Sequence, residues 1–80
     1  MKKSDLISGK HIVETRLGDK FLVAGDYLAG IYGDSFMQLA SYTEDLNQID
    51  SFTGSYELDI CKVYEMVYLT SLPRLLEGKQ

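Results

Sequence analysis

Residues His11–Gly25 read HIVETRLGDKFLVAG. Two short runs of β-branched and aromatic residues flank Gly18, the pattern of a β-hairpin. Gly18 can take positive φ without a Cβ clash. The side chains choose the register. A two-residue loop at Gly18-Asp19 would pair Val13 with Ala24 and Glu14 with Val23, scattering apolar residues over both faces. A three-residue loop ending in Gly18, a type I turn closed by a G1 bulge, pairs Val13 with Phe21 and His11 with Val23. Val13, Phe21 and Val23 then share one face with Thr15 at its margin, while Glu14, Arg16, Lys20 and Leu22 face the other way. A slip of one residue would turn the apolar set outward, so the second register is expected.

Outward from this hairpin, the pattern stays strand-like. Ser4-Asp5-Leu6 reads as a short turn or helical turn leading to Gly9, with Leu6 plugging one end of the core. Gly25-Asp26 marks a bend. Tyr27–Tyr32 is a strand in which Gly30 suggests a bulge or a close backbone approach. After a turn at Gly33-Asp34-Ser35, Phe36–Ser41 answers it, with Met37 and Leu39 expected toward the core. Tyr42–Glu57 is polar and aperiodic. Glu44-Asp45-Leu46 could form a helical turn capped by Thr43, and Asp50–Ser55 an exposed loop around Gly54. Leu58–Glu65 carries apolar residues on both faces, as a central strand does, and 66–69 could continue it. Ser71-Leu72-Pro73 can open a short helix with Leu72, Leu75 and Leu76 as its apolar stripe.

About five short strands with glycine turns predict a small all-β domain over residues 1–80: an SH3-like barrel or rolled sheet with a short C-terminal helix. A plain curled meander plus that helix is the alternative. With 80 residues, the core is thin, and stability of roughly 5 kcal/mol would be ordinary. No run is long enough for a membrane span. Two lysines near the start have no apolar stretch behind them, so no signal peptide is expected. Cys61 is the single cysteine, which fits a reducing cytoplasm.

The order of residues resembles small accessory proteins encoded by phages and prophages of Gram-positive bacteria. The matching positions are Asp5-Leu6, Gly9, Val13, Arg16, Gly18, Phe21, Val23, Asp26 and Leu28, then Tyr42, Asp45-Leu46, Asp59-Ile60 and Lys62-Val63-Tyr64. They are turn and core signatures that many small barrels share. Leu17 stands where such proteins tend to have Asn before the turn glycine, which argues against a tight type I′ turn. The resemblance implies a phage accessory context, some members of which act against host defence, and transfers no catalytic motif.

Chemistry-bearing residues are sparse. His11 is the only histidine and Cys61 the only cysteine, too few for a zinc site within one chain. His11 is expected as a partly exposed strand residue and Cys61 as a small buried apolar one. Gly30-Ile31-Tyr32-Gly33 lacks the Gly-Lys-Ser/Thr ending of a phosphate loop. Glu44-Asp45…Asp50 lacks calcium-loop spacing. No enzyme activity and no cofactor are expected.

Charge and tyrosines say more. The chain carries a formal charge of −4. Between Lys20 and Lys62 it has no Lys or Arg, while Asp26, Asp34, Glu44, Asp45, Asp50, Glu57 and Asp59 fall in that interval. Such a middle repels a phosphate backbone and attracts a basic surface. Solvated loop carboxylates are the simpler explanation. Six tyrosines are many for this length; those left exposed suit an interface or a stacked base. The expectation is a non-enzymatic phage-type accessory factor that binds and blocks a host component with a basic surface. Two alternatives stand beside it: an oligomer sequestering a nucleotide-like molecule between subunits, and an SH3-like nucleic-acid or protein interaction module. Arg16, Lys20, Tyr27, Tyr32, Tyr42 and Lys62 are the candidate binding residues. The C-terminal leucines favour a homo-oligomer.

Overall fold

A computed structural model describes residues 1–33, 35–49, 57–67 and 72–78, of which 67, 72–74 and 77 as backbone only. Six antiparallel strands form one open sheet: β1 (His11–Thr15), β2 (Lys20–Ala24), β3 (Tyr27–Gly30), β4 (Phe36–Gln38), β5 (Ile60–Val67) and β6 (Leu72–Gly78). Their order is β4-β3-β2-β1-β5-β6. Among the described residues no helix is long and apolar enough to cross a membrane.

The β1–β2 hairpin has the register the side-chain pattern demands, with Val13 opposite Phe21 and Glu14 opposite Lys20. Gly18 sits at φ +94°. Its N–H donates to the Thr15 carbonyl (2.9 Å), and the Thr15 N–H donates to the Asp19 carbonyl (2.9 Å), the bonding of a three-residue loop closed by a left-handed glycine. The next hairpin is tighter. Ala24 pairs with Tyr27, leaving Gly25-Asp26 as the loop, and Gly25 alone takes positive φ, as the first position of a type II′ turn requires. Gly30 is a close backbone approach: a Cβ there would lie 2.9 Å from the Ser35 carbonyl oxygen. The answering strand is shorter than expected, because the chain leaves the ladder at Gln38 and turns through a 3-10 segment, Leu39–Ser41.

One face of the sheet is the core. Val13, Phe21, Val23, Leu28, Ile60 and Val63 are buried there together with Tyr42 and Leu46, and Met1, Leu6, Met37 and Leu39 pack against them. Each fully buried aliphatic side chain contributes roughly 1.5–3 kcal/mol. Tyr42 is 0 % exposed, and its hydroxyl donates to the Leu58 carbonyl at 2.6 Å. Burial raises its pKa to about 12, helped by the charge of Asp59.

Residues 44–46 form a turn, not the helical turn expected. The Leu46 N–H donates to the Thr43 carbonyl (2.9 Å) and the Thr43 N–H to the Asn47 carbonyl (2.8 Å). This repeats the bonding of the Thr15–Asp19 loop, with Leu46, at φ 67°, in the place of Gly18. The left-handed turn drives the Leu46 side chain into the core.

Three other expectations change. The C-terminal helix is a strand: Leu72–Gly78 pairs with β5, with a register shift beside Val63 and Tyr64. Leu72, Leu75 and Leu76 have helical spacing, but the ladder hydrogen bonds offered by β5 outweigh it, and Pro73 is tolerated because β6 is an edge strand. The sheet therefore has six strands and two edges, β4 and β6. His11 is 4 % exposed and not half-open, since its Nδ1 accepts the Ile7 N–H at 2.8 Å. Cys61 is only partly buried. The 50–55 loop lies outside the described residues.

Candidate binding surface

The second face of the sheet is built by the same registers. Phe36 lies opposite Ala29, Ala29 opposite Leu22, Leu22 opposite Ile12, Ile12 opposite Tyr64, and Tyr64 opposite Leu75. Directly opposite residues share a face. The result is one apolar row across all six strands, about 24 Å from end to end at the usual strand spacing. Its middle is closed over, with Ile12 buried, and its ends are open, Phe36 being 68 % and Leu75 51 % exposed.

A charged row runs beside it. Glu14 faces Lys20 on β2 and Lys62 on β5. Its Oε1 lies 3.5 Å from the Lys20 ammonium and its Oε2 3.7 Å from that of Lys62. The Tyr64 hydroxyl donates to Glu14 Oε1 at 2.8 Å. Tyr64 is pushed up to about 12, first by burial and then by the hydrogen bond and charge of Glu14. The Lys20 ammonium lies 6.0 Å from the ring centre of Tyr32 and 5.9 Å from that of Tyr64, within cation–π range.

At the β3–β4 end, Tyr27 and Phe36 pack edge to face with centroids 6.0 Å apart. Tyr27 also borders a cavity of about 430 Å³ lined by Lys3, Asp26, Tyr27, Gln38, Leu39 and Ala40. The Lys3 ammonium donates to the Tyr42 carbonyl at 2.8 Å. A smaller hollow of about 150 Å³ lies between Lys20, Tyr32, Gly30 and Ser35.

The six candidate residues thus separate. Lys20 and Lys62 both pair with Glu14, and Tyr32 reaches only the Lys20 ammonium. Tyr27 stands on β3 and packs against Phe36 of the edge strand β4. Arg16 is exposed in the hairpin loop and stays apart. Tyr42 is a core residue with no surface to present, because the 3-10 turn before it points its ring inward. Phe36, Tyr64, Glu14 and Asp26 were not singled out from sequence. Extending the Val13–Phe21 register strand by strand would have placed Tyr64, one pairing step from Ile12, and Phe36, two steps from Leu22, while Glu14 already shares that face with Lys20 in the hairpin. Among the described residues no three His, Cys, Asp or Glu side chains gather to hold a metal ion. Comparison of the chain with protein-family models, curated proteins and solved structures finds no match.

Proposed function

We propose that this chain is a non-enzymatic binding protein, a cytoplasmic phage-type accessory factor that docks a basic surface of a host protein and blocks it. The observation that carries the reading is the row Phe36–Ala29–Leu22–Ile12–Tyr64–Leu75, open at the end where Tyr27 packs on Phe36. Large rings at the edge of an apolar row are the anchors that dominate protein interfaces. Tyr27 and Phe36 lie in the stretch of sequence without Lys or Arg, which suits a basic partner. The architecture supports the same reading. A four-strand meander, a 3-10 turn and a fifth strand returning beside the first is an order that suits a rolled, SH3-like sheet, and Tyr42 and Leu46 fill its hollow.

A photo-crosslinking side chain at Phe36, in bacterial lysate, is expected to give one adduct that excess unlabelled wild type competes away. The same group at Ile49, exposed but off the row, should give none. Equal labelling from both positions would remove the reading.

A second reading rests on β6 and Lys20. Leu75 and Leu76 are exposed on an edge strand, which favours a homo-oligomer, and Lys20 between two tyrosine rings offers a place for a nucleotide base and phosphate. Glu14 already holds both nearby ammonium groups and counts against an anion there. Sedimentation as a monomer, with no thermal shift from a nucleotide panel, would dispose of this second reading.

A further inference from the structure

We propose that the cavity beside Tyr27 is a subsite for a guanidinium group, the side chain of an arginine presented by a partner protein. The inference rests on the docking reading above and gives that partner its chemistry.

The walls match the three parts of an arginine. Leu39 and Ala40 offer apolar surface for its methylene stem. The Tyr27 ring, 48 % exposed, offers a face for the planar charged group. The Phe36 ring meets it edge to face at 77° and holds it in place. Asp26 offers a carboxylate able to take two parallel N–H bonds. The backbone fixes Asp26 at the rim: it occupies the second position of the tight β2–β3 loop, and its carbonyl accepts the Leu39 N–H at 2.9 Å.

The electrostatics agree. Asp26 has no ion pair among the described residues. Lys3 is the one cation in the cavity wall, and its ammonium is directed to the Tyr42 carbonyl. From residue 21 to residue 61 the sequence contains no Lys or Arg, so β3, β4 and the turns beside them bring no cation to oppose a guanidinium's approach. A carboxylate or phosphate ligand would meet Asp26 with no opposing charge except a committed lysine. A second copy of the chain would bring the same acidic end.

The test is an NMR titration of the whole ¹⁵N-labelled chain with N-acetyl-arginine methylamide. Saturable shifts confined to the amides of Asp26, Tyr27, Gln38, Leu39 and Ala40 are expected. The uncharged citrulline isostere should leave them unmoved. Asp26→Asn should weaken binding about tenfold, the scale of one charge-assisted hydrogen bond, while resonances elsewhere stay in place. Tyr27→Leu should weaken it as well, with Asp26 intact. Equal shifts from citrulline, an unaffected Asp26→Asn variant, or no local shifts would overturn the subsite. If the probe binds but Phe36 captures no partner, the docking reading fails alone. If Phe36 captures a partner whose binding ignores Asp26→Asn, the guanidinium subsite fails alone.

Discussion

Thr15 is fully buried, and its Oγ1 has no hydrogen-bond partner among the described residues. A buried hydroxyl left unpaired costs about 1–3 kcal/mol. Valine has nearly the same shape without the hydroxyl. Thr15→Val is therefore expected to stabilise the fold by about 1 kcal/mol, read as a higher denaturation midpoint at unchanged m-value. A lower midpoint would mean that the hydroxyl is paired in solution. Leu46 poses the opposite problem. It is buried and holds φ at 67°, a conformation that costs a residue with a Cβ roughly 1–2 kcal/mol. Leu46→Ala loses about 2–5 kcal/mol of packing and keeps the torsional cost. Leu46→Gly loses similar packing and sheds that cost. Glycine at this position should thus be about 1 kcal/mol more stable than alanine, the reverse of their order in regular strands and helices. Equilibrium unfolding of the two variants decides it.

At the scale of elements, the segment before β1 is tied across the sheet. The Gly9 N–H donates to the Val23 carbonyl at 2.7 Å, the Ser8 hydroxyl accepts the Gly25 N–H at 2.7 Å, and His11 Nδ1 accepts the Ile7 N–H. The last tie requires an unprotonated Nδ1. Burial lowers the His11 pKa, Lys10 lowers it further, and Glu65 opposes them. The neutral imidazole is thus the form the fold prefers. A folded pKa below the unfolded value of about 6.5 gives stability that is present above that value and lost as pH falls through the folded one. Wild type should lose melting temperature between neutral pH and about pH 5 faster than His11→Gln, whose amide oxygen can accept the same bond without titrating. Parallel curves would show that His11 contributes nothing to acid sensitivity.

What was legible in the sequence follows the range of the interactions. The β1–β2 register depends on residues within fifteen positions of each other, and alternation settles it. Gly30 declared its close approach because a glycine inside a strand needs a reason. Tyr42 and Leu46 were hidden, since the one is buried by a 3-10 turn before it and the other by a left-handed turn at a leucine, which no periodicity announces. β6 was misread because three leucines at helical spacing say nothing of the neighbouring strand that claims their backbone. The binding surface was half legible. Lys20 and Lys62 could be named, and the hairpin register puts Glu14 across from Lys20, but that Lys62 meets the same carboxylate follows only once β5 is known to lie beside β1.

Across the whole molecule, charge and shape divide the work of binding. Glu44 is exposed on the 43–47 turn and is not in the wall of the cavity beside Tyr27, which Asp26 lines. A charge that only contributes to the field changes the rate of encounter, and a charge that touches the partner changes the rate of escape. For a basic partner, Glu44→Lys should therefore slow association several-fold with little change in dissociation. Asp26→Asn should speed dissociation. Raising salt should slow association of wild type more than that of Glu44→Lys, because screening removes what the substitution has already removed. Surface-plasmon kinetics at low and physiological ionic strength separate the two rates. Loss of affinity carried by the same rate constant in both variants would mean that Glu44 also meets the partner, and that the interface reaches past the aromatic end of the sheet onto the turn that seats Leu46.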